Sequence, residues 1–411
     1  MKKLLLLLIV LLLNIPTQAC TTAVISGKYT KDGRPMLWKN RDTWSINNVL
    51  RYFNDAKYAY VGLVNSHDKN GKSIWIGVND QGFAIMNSAS YNLNFDNKDK
   101  LTGLEGRIMK EALATCKTIA DFEAYLDSLP RPTGLEANFG VIDAQGGAAY
   151  YEINNHKYVK FDANDPKVAP FGYIIRTNYS HTGRFGYESS GYIRYNTANQ
   201  LFYEKVSTFG GLSAQDIQQN VAKGLYHSLI KEDLFDKYGN LPPNHAQYVP
   251  FRDYIPRSGS SSSVVVEGVR KGQNPNLATL WSNVGFPLSS MMVPTWVSKV
   301  ALPEIVLYNR DLNDSPICHA ALELKKQKIM NLRWGKSDHY YIDVNALANN
   351  QGTGIAQITK RYEMTIYKKT YDLLKKWETE GKSNKSDIKE MYQWVNTYIK
   401  EAYQKEFNIK L

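Results

Sequence analysis

The chain has 411 residues, with 50 lysines and arginines against 39 acidic residues, a formal net charge of +11 and 43% hydrophobic residues. That hydrophobic share excludes a disordered chain, and the length admits one large domain or two ordinary ones. Three cysteines exclude a disulfide scaffold, seven scattered histidines give no metal-ligand spacing, and the basic residues are too dispersed for a nucleic-acid reader.

Met1 to Ala19 has the three parts of a signal peptide: Lys2 and Lys3, the apolar run Leu4 to Leu13, and small residues at Thr17 and Ala19. The apolar run is too short to span a bilayer, which takes about 20 residues. Export to the periplasm or the exterior is therefore expected, without stable membrane insertion once the leader is cut. Loss of Lys2 and Lys3 takes the charge from +11 to +9. Cleavage after Ala19 makes Cys20 the first residue. The rival fate of that position is lipoprotein acylation, which would consume thiol and amine together; Thr17 and Gln18 fit the lipoprotein leader poorly.

Thr21 to Ser26 reads as a strand, followed by a turn at Lys31-Asp32-Gly33 and a second strand from Pro35 to Lys39. That hairpin brings Cys20 and Asp42 together, with Asp42 just beyond the second strand. Tyr58 to Val64, Ser73 to Val78 and Phe83 to Ser88 are further strands; Leu104 to Ala114 and Ile119 to Leu129 have helical spacing, ended by Pro130 and Pro132. Strands follow at Asn138 to Ile142, Ala148 to Ile153, Tyr158 to Phe161 and Gly172 to Thr177, then helices at Tyr192 to Val206 and Ser213 to Leu225. A proline-rich loop leads to the serine run Ser258 to Ser263, read as a flexible loop, and to strands at Val264 to Glu267 and Ala278 to Trp281. From about Gln357 two Lys/Glu/Tyr-rich amphipathic segments predict a helical hairpin. This order predicts an α+β fold in four layers, helix–sheet–sheet–helix, divided as leader 1–19, body 20–355 and C-terminal helical extension 356–411.

Amide cleavage needs a nucleophile, a base, a group that orients the base, and donors for the oxyanion. A free N-terminal cysteine supplies the first two, since its α-amine has a pKa of about 7.7–8. Lys39 and Arg41 supply positive charge for the thiol, and Asp42 can accept from the amine. Taken whole, the stretch resembles the choloylglycine hydrolase superfamily, which includes conjugated bile salt hydrolases, penicillin V acylases and the isopenicillin N acyltransferase group. The residues carrying the resemblance are Cys20-Thr21, Asp32-Gly33, Asn40-Arg41-Asp42, the segment Gly77 to Asn87, Ala137 to Asp143 through Glu152, and Arg176-Thr177-Asn178. It implies an αββα N-terminal-nucleophile (Ntn) hydrolase with Cys20 and Asp42 catalytic, Asn87 and Asn178 at the oxyanion, Lys39 where two branches of the family carry arginine, and Arg257 as a later family arginine. It implies no cofactor and no metal. The partner is a small-molecule amide, no nucleic acid is expected, and self-association is left open.

The alternatives from other classes are a lipid-anchored surface binding protein acylated on Cys20 and a related cysteine dipeptidase. Each site residue also has a plain structural reading: Asn79 and Asn87 flank a turn, Trp38 and Trp44 bracket Asp42 as core residues, and Cys116 and Cys318 are either paired or simply buried.

Overall fold

The computed structural model describes residues 19–94, 101–186, 191–242, 245–334 and 339–411; the predicted leader through Gln18 lies outside them. The elements that position the site are β1 (Cys20–Ile25), β2 (Met36–Asp42), β3 (Asn48–Phe53), β4 (Tyr60–Asn65), β5 (Ile76–Asn79) and β6 (Ala84–Ala89). Then come α1 (Glu105–Thr115), α2 (Ile119–Ser128), β7 (Ala137–Ile142), β8 (Ala148–Ile153), β9 (Tyr158–Asp162), β10 (Tyr173–Arg176) and α3 (Tyr192–Phe209). The chain continues with β11 (Ser260–Glu267), β12 (Thr279–Val284), β13 (Val293–Thr295), α4 (Pro316–Leu324), α5 (Ile355–Glu380) and α6 (Lys385–Phe407).

Two antiparallel sheets form the centre. One runs β10-β1-β2-β11-β12-β13 and the other runs β3 to β9 in chain order. Strand alternation sorts the side chains of the first sheet into two sets. Thr22, Lys39 and Val264 share one register row, and Ala23, Trp38 and Val265 share the next. The first row meets the second sheet: the Thr22 hydroxyl lies 2.5 Å from the Tyr150 hydroxyl on β8. The second row meets helices, with Trp38 packed 5.8 Å from Phe202 of α3 and Trp281 packed 4.8 Å from Tyr367 of α5. On the far side, α1 and α2 cover the second sheet, where Phe122 packs edge-on to Tyr151 at 5.4 Å. The result is the predicted helix–sheet–sheet–helix stack.

Several boundaries differ from the sequence reading. Strand β2 runs three residues further, because β11 pairs with it as far as Ser260 opposite Asp42. Asp42 is thus within a strand. The serine run is no flexible loop: Ser260 to Ser263 are fully buried and open β11, and the Ser260, Ser261 and Ser263 hydroxyls meet partners on β2, such as Trp38 Nε1, which donates to Ser263 Oγ at 3.1 Å. Serine composition reads as loop, but tertiary pairing overrides it. Strand β3 and helix α4 escaped notice, and the predicted helix from Ser213 is a three-residue turn, Ala214–Asp216, followed by the π-helical Ile217–Val221. The terminal hairpin forms as expected, split at Gly381, whose φ of 69° a residue with a Cβ adopts only under strain. Trp38 is core, whereas Trp44 is 63% exposed. All three cysteines are free and buried. Among the described residues no helix is long and apolar enough to cross a membrane.

Candidate active site

Cys20 opens β1 and pairs with Arg41, so Asp42 is the next residue along the neighbouring strand. Both sit at the same end of the sheet, where β2 also meets Ser260. Lys39 and Arg41 alternate toward the second sheet. The Lys39 ammonium donates to the backbone oxygen of Asn87 at 2.7 Å and to its Oδ1 at 2.6 Å. Arg41 donates to Asn48 Oδ1 at 2.5 Å, with its guanidinium carbon 4.6 Å from the Trp75 ring centroid. Lys39 lies 2% exposed. Burial pulls its pKa down to about 8, against an upward pull from Cys20. With Oδ1 taken by Lys39, the Asn87 amide has its NH2 left to offer an incoming oxygen.

Asp42 is held on one side only. The Ser260 hydroxyl donates to Asp42 Oδ1 at 2.5 Å and itself accepts from the Arg257 backbone N–H at 2.8 Å. Oδ2 is buried with no hydrogen-bond partner among the described residues. Burial raises the Asp42 carboxyl, while Arg257 and Arg194 pull it back down. An unpaired buried carboxylate oxygen is costly, on the order of 1–3 kcal/mol. It leaves an acceptor that an ammonium or amine donor could satisfy.

Asn178 follows β10 and reaches back to the nucleophile. Its Oδ1 accepts from Cys20 N at 2.9 Å, and its Nδ2 donates to Ala89 O at 3.1 Å. The loop bearing it is pinned by Glu152, which accepts from Arg176 Nε at 2.7 Å and from the backbone N–H groups of His181 at 2.8 Å and Thr182 at 2.7 Å. The Arg176 charge and the Thr182 and His181 donors, the Thr182 hydroxyl among them at 2.6 Å, hold the Glu152 pKa below the ordinary carboxylate value despite burial. Asn178 therefore presents its acceptor to Cys20 and spends its donor elsewhere.

Two residues that sequence reasoning missed complete the site. Arg194, in the first turn of α3, donates to Cys20 O at 2.7 Å, Thr21 Oγ1 at 2.9 Å and Asn178 Oδ1 at 3.0 Å. Ser260 is the second. Of the predicted residues, Lys39, Asn87 and Asn178 are linked by hydrogen bonds into two groups around Cys20, and Asp42 flanks it. Arg257 is half-buried and reaches Asp42 through its charge and through Ser260. Asn79 is structural: its Oδ1 accepts from Gln81 N and Phe83 N at 3.1 and 3.0 Å, closing the β5–β6 turn. Among the described residues no three His, Cys, Asp or Glu side chains gather to hold a metal.

No family model and no curated protein matches the sequence. Among solved structures, an N-acylethanolamine-hydrolyzing acid amidase ortholog from Caenorhabditis elegans is similar at 12% identity and a TM-score of 0.39, covering 60% of this chain and 92% of its own. A conjugated bile acid hydrolase from Clostridium perfringens is similar at 11% identity and 0.40, covering 68% and 93%. A penicillin V acylase from Agrobacterium tumefaciens stands at 14% identity and 0.34, covering 68% and 87%.

Proposed function

We propose that the chain is the precursor of an exported Ntn hydrolase that cleaves a linear amide through Cys20. The observation that carries this reading is the convergence on one residue of an acceptor for its nitrogen, Asn178 Oδ1 at 2.9 Å, and of the cation Arg194 on its carbonyl at 2.7 Å, beside an Asp42 oxygen with no partner.

In the proposed reaction the Cys20 sulfur attacks the amide carbon while its proton passes to the α-amine. Asp42 and Asn178 orient that amine. Asn87, turned by Lys39, donates to the oxyanion. Collapse breaks the C–N bond, and the amine's proton leaves with the departing amine. Water then attacks the acyl-thioester, returning the thiol and releasing a carboxylic acid; in an acyltransferase another amine would take water's place. Arg257 is suited to a substrate carboxylate at the rim, in keeping with the basic charge. The choice among conjugated bile acids, phenoxyacyl β-lactams, acyl-homoserine lactones and short peptides is made by a substrate panel with mass detection.

Mass spectrometry of the mature N-terminus and the C20A variant test the proposal. The expected results are an unmodified Cys20 at the terminus, and loss of turnover in C20A with the fold retained. Turnover in C20A, or a diacylglyceryl mass on Cys20, would overturn it. The latter would point to an anchored binding protein.

A further inference from the structure

We propose that Arg194 keeps the amino nitrogen of Cys20 in its neutral, proton-accepting form, as a positioning residue for the cleavage described above. The inference rests on reading Cys20 as the first residue of the active chain. Arg194 N–H groups and Cys20 N share one acceptor, Asn178 Oδ1, at 3.0 and 2.9 Å. The two nitrogens are therefore no more than 5.9 Å apart, the sum of the two contacts. An ammonium at Cys20 would add a second positive charge within that distance, in a site that water barely reaches: Arg194 is 1% exposed and Cys20 is 7% exposed. Like charges so placed disfavour protonation of the weaker base, and a guanidinium does not give up its proton in its stead.

The guanidinium has nowhere to retreat. Two further contacts anchor it, to Cys20 O at 2.7 Å and Thr21 Oγ1 at 2.9 Å. Gly191, at φ +113°, backs it so closely that a Cβ there would stand 2.5 Å from Nη2. Other charges around the site are Asp42, Lys39 and Arg41 on β2, Glu105 at the start of α1, and Asp253 and Arg257 ahead of β11. Asp42, Asp253 and Glu105 favour the ammonium form, and of these Asp42 is the one next to Cys20 along the paired strands. Asp42 and Arg194 thus divide the work: the carboxylate fixes where the amine points, and the guanidinium limits how long it stays protonated. A base must begin neutral to take the thiol proton, so the balance raises the competent fraction at neutral pH.

The test is kcat/KM against pH for the wild type, R194K and R194M, using the most rapidly cleaved N-acyl amide of a substrate panel, with each mature N-terminus verified by mass. The wild-type acid limb is expected below about 7.7, the ordinary α-amine value. R194M should move the limb upward by on the order of one pH unit, and R194K, which keeps the charge, should leave it in place while losing rate. A rate loss in R194M with an unmoved limb would overturn the inference, leaving Arg194 a structural residue. If R194M does not fold, a wild-type limb at or above the α-amine value, or a limb displaced in R194K, overturns it equally. A mature protein starting elsewhere than Cys20 would remove the hydrolase reading and this inference together; an active Cys20 enzyme with an unmoved limb removes this inference alone.

Discussion

Lys39 is an unusual choice for a position between two sheets. Its ammonium is buried, and among the described residues it hydrogen-bonds to Asn87 oxygens alone, at 2.6 and 2.7 Å. Its folded pKa, lowered to about 8, means the charge is present below that pH and lost above it. An alkaline limb near pH 8 is therefore expected in kcat. K39R, whose guanidinium stays charged, should extend activity past that limb, and K39M should lower kcat about 10²-fold by freeing the oxyanion amide to rotate. A limb that stays at the same pH in K39R would exclude Lys39 as its source. Residues such as Cys20, Lys39 and Asp42 were legible in the sequence because they fall within one hairpin. Arg194 and Ser260 were not, because their partners stand 174 and 218 positions away along the chain. A lone arginine at a helix start and a serine in a serine run carry no local signal of either role.

The strand β11 shows how an element can be misread and still matter. Its serine-rich half pairs with the end of β2 that carries Asp42, and its other end places Glu267 against the helices. There Trp281 Nε1 donates to Glu267 Oε2 at 3.0 Å. Burial and the nearby Asp32 push the Glu267 carboxyl up to about 8, against the pull of Arg34. The sign follows: the unfolded chain releases this proton near the ordinary value of about 4.3, the folded chain only near 8, so stability falls as pH rises between the two. E267Q, neutral throughout, should flatten that fall and be more stable than the wild type at pH 8, read from denaturant midpoints at pH 5 and 8. An unchanged pH slope in E267Q would refute the assignment. The alternation of apolar residues revealed most strands of both sheets in the sequence. It could not reveal the start of β11, where four successive serines are polar on both faces and β2 supplies hydrogen-bond partners to three of them, Ser260, Ser261 and Ser263.

At the scale of the molecule, the two sheets place their inner faces together and leave each outer face to helices. The C-terminal pair was readable as helices from its amphipathic period, but not where it docks. It packs on the first sheet, with Trp377 fully buried and edge-on to Trp296 at 5.0 Å, and Tyr392 stacked on Trp296 at 5.8 Å. Buried Lys223 and Glu363 bind at 2.8 Å and tie α5 to the body beneath it. W377A should cost about 3–5 kcal/mol, the range for emptying a large aromatic site, and lower the Tm accordingly. A loss under 1 kcal/mol would mean the hairpin is only loosely laid on the sheet.

The three thiols lead to a practical consequence. No covalent crosslink joins any pair, so assembly of the native protein asks nothing of an oxidising compartment. Burial drives Cys116 up to about 11 and Cys318 well above its ordinary value, which leaves both as protonated, sluggish sulfurs at neutral pH. If Cys20 is the nucleophile proposed above, a mild electrophile applied to a native preparation will label one sulfur per molecule, and its stoichiometry will count the molecules that carry it.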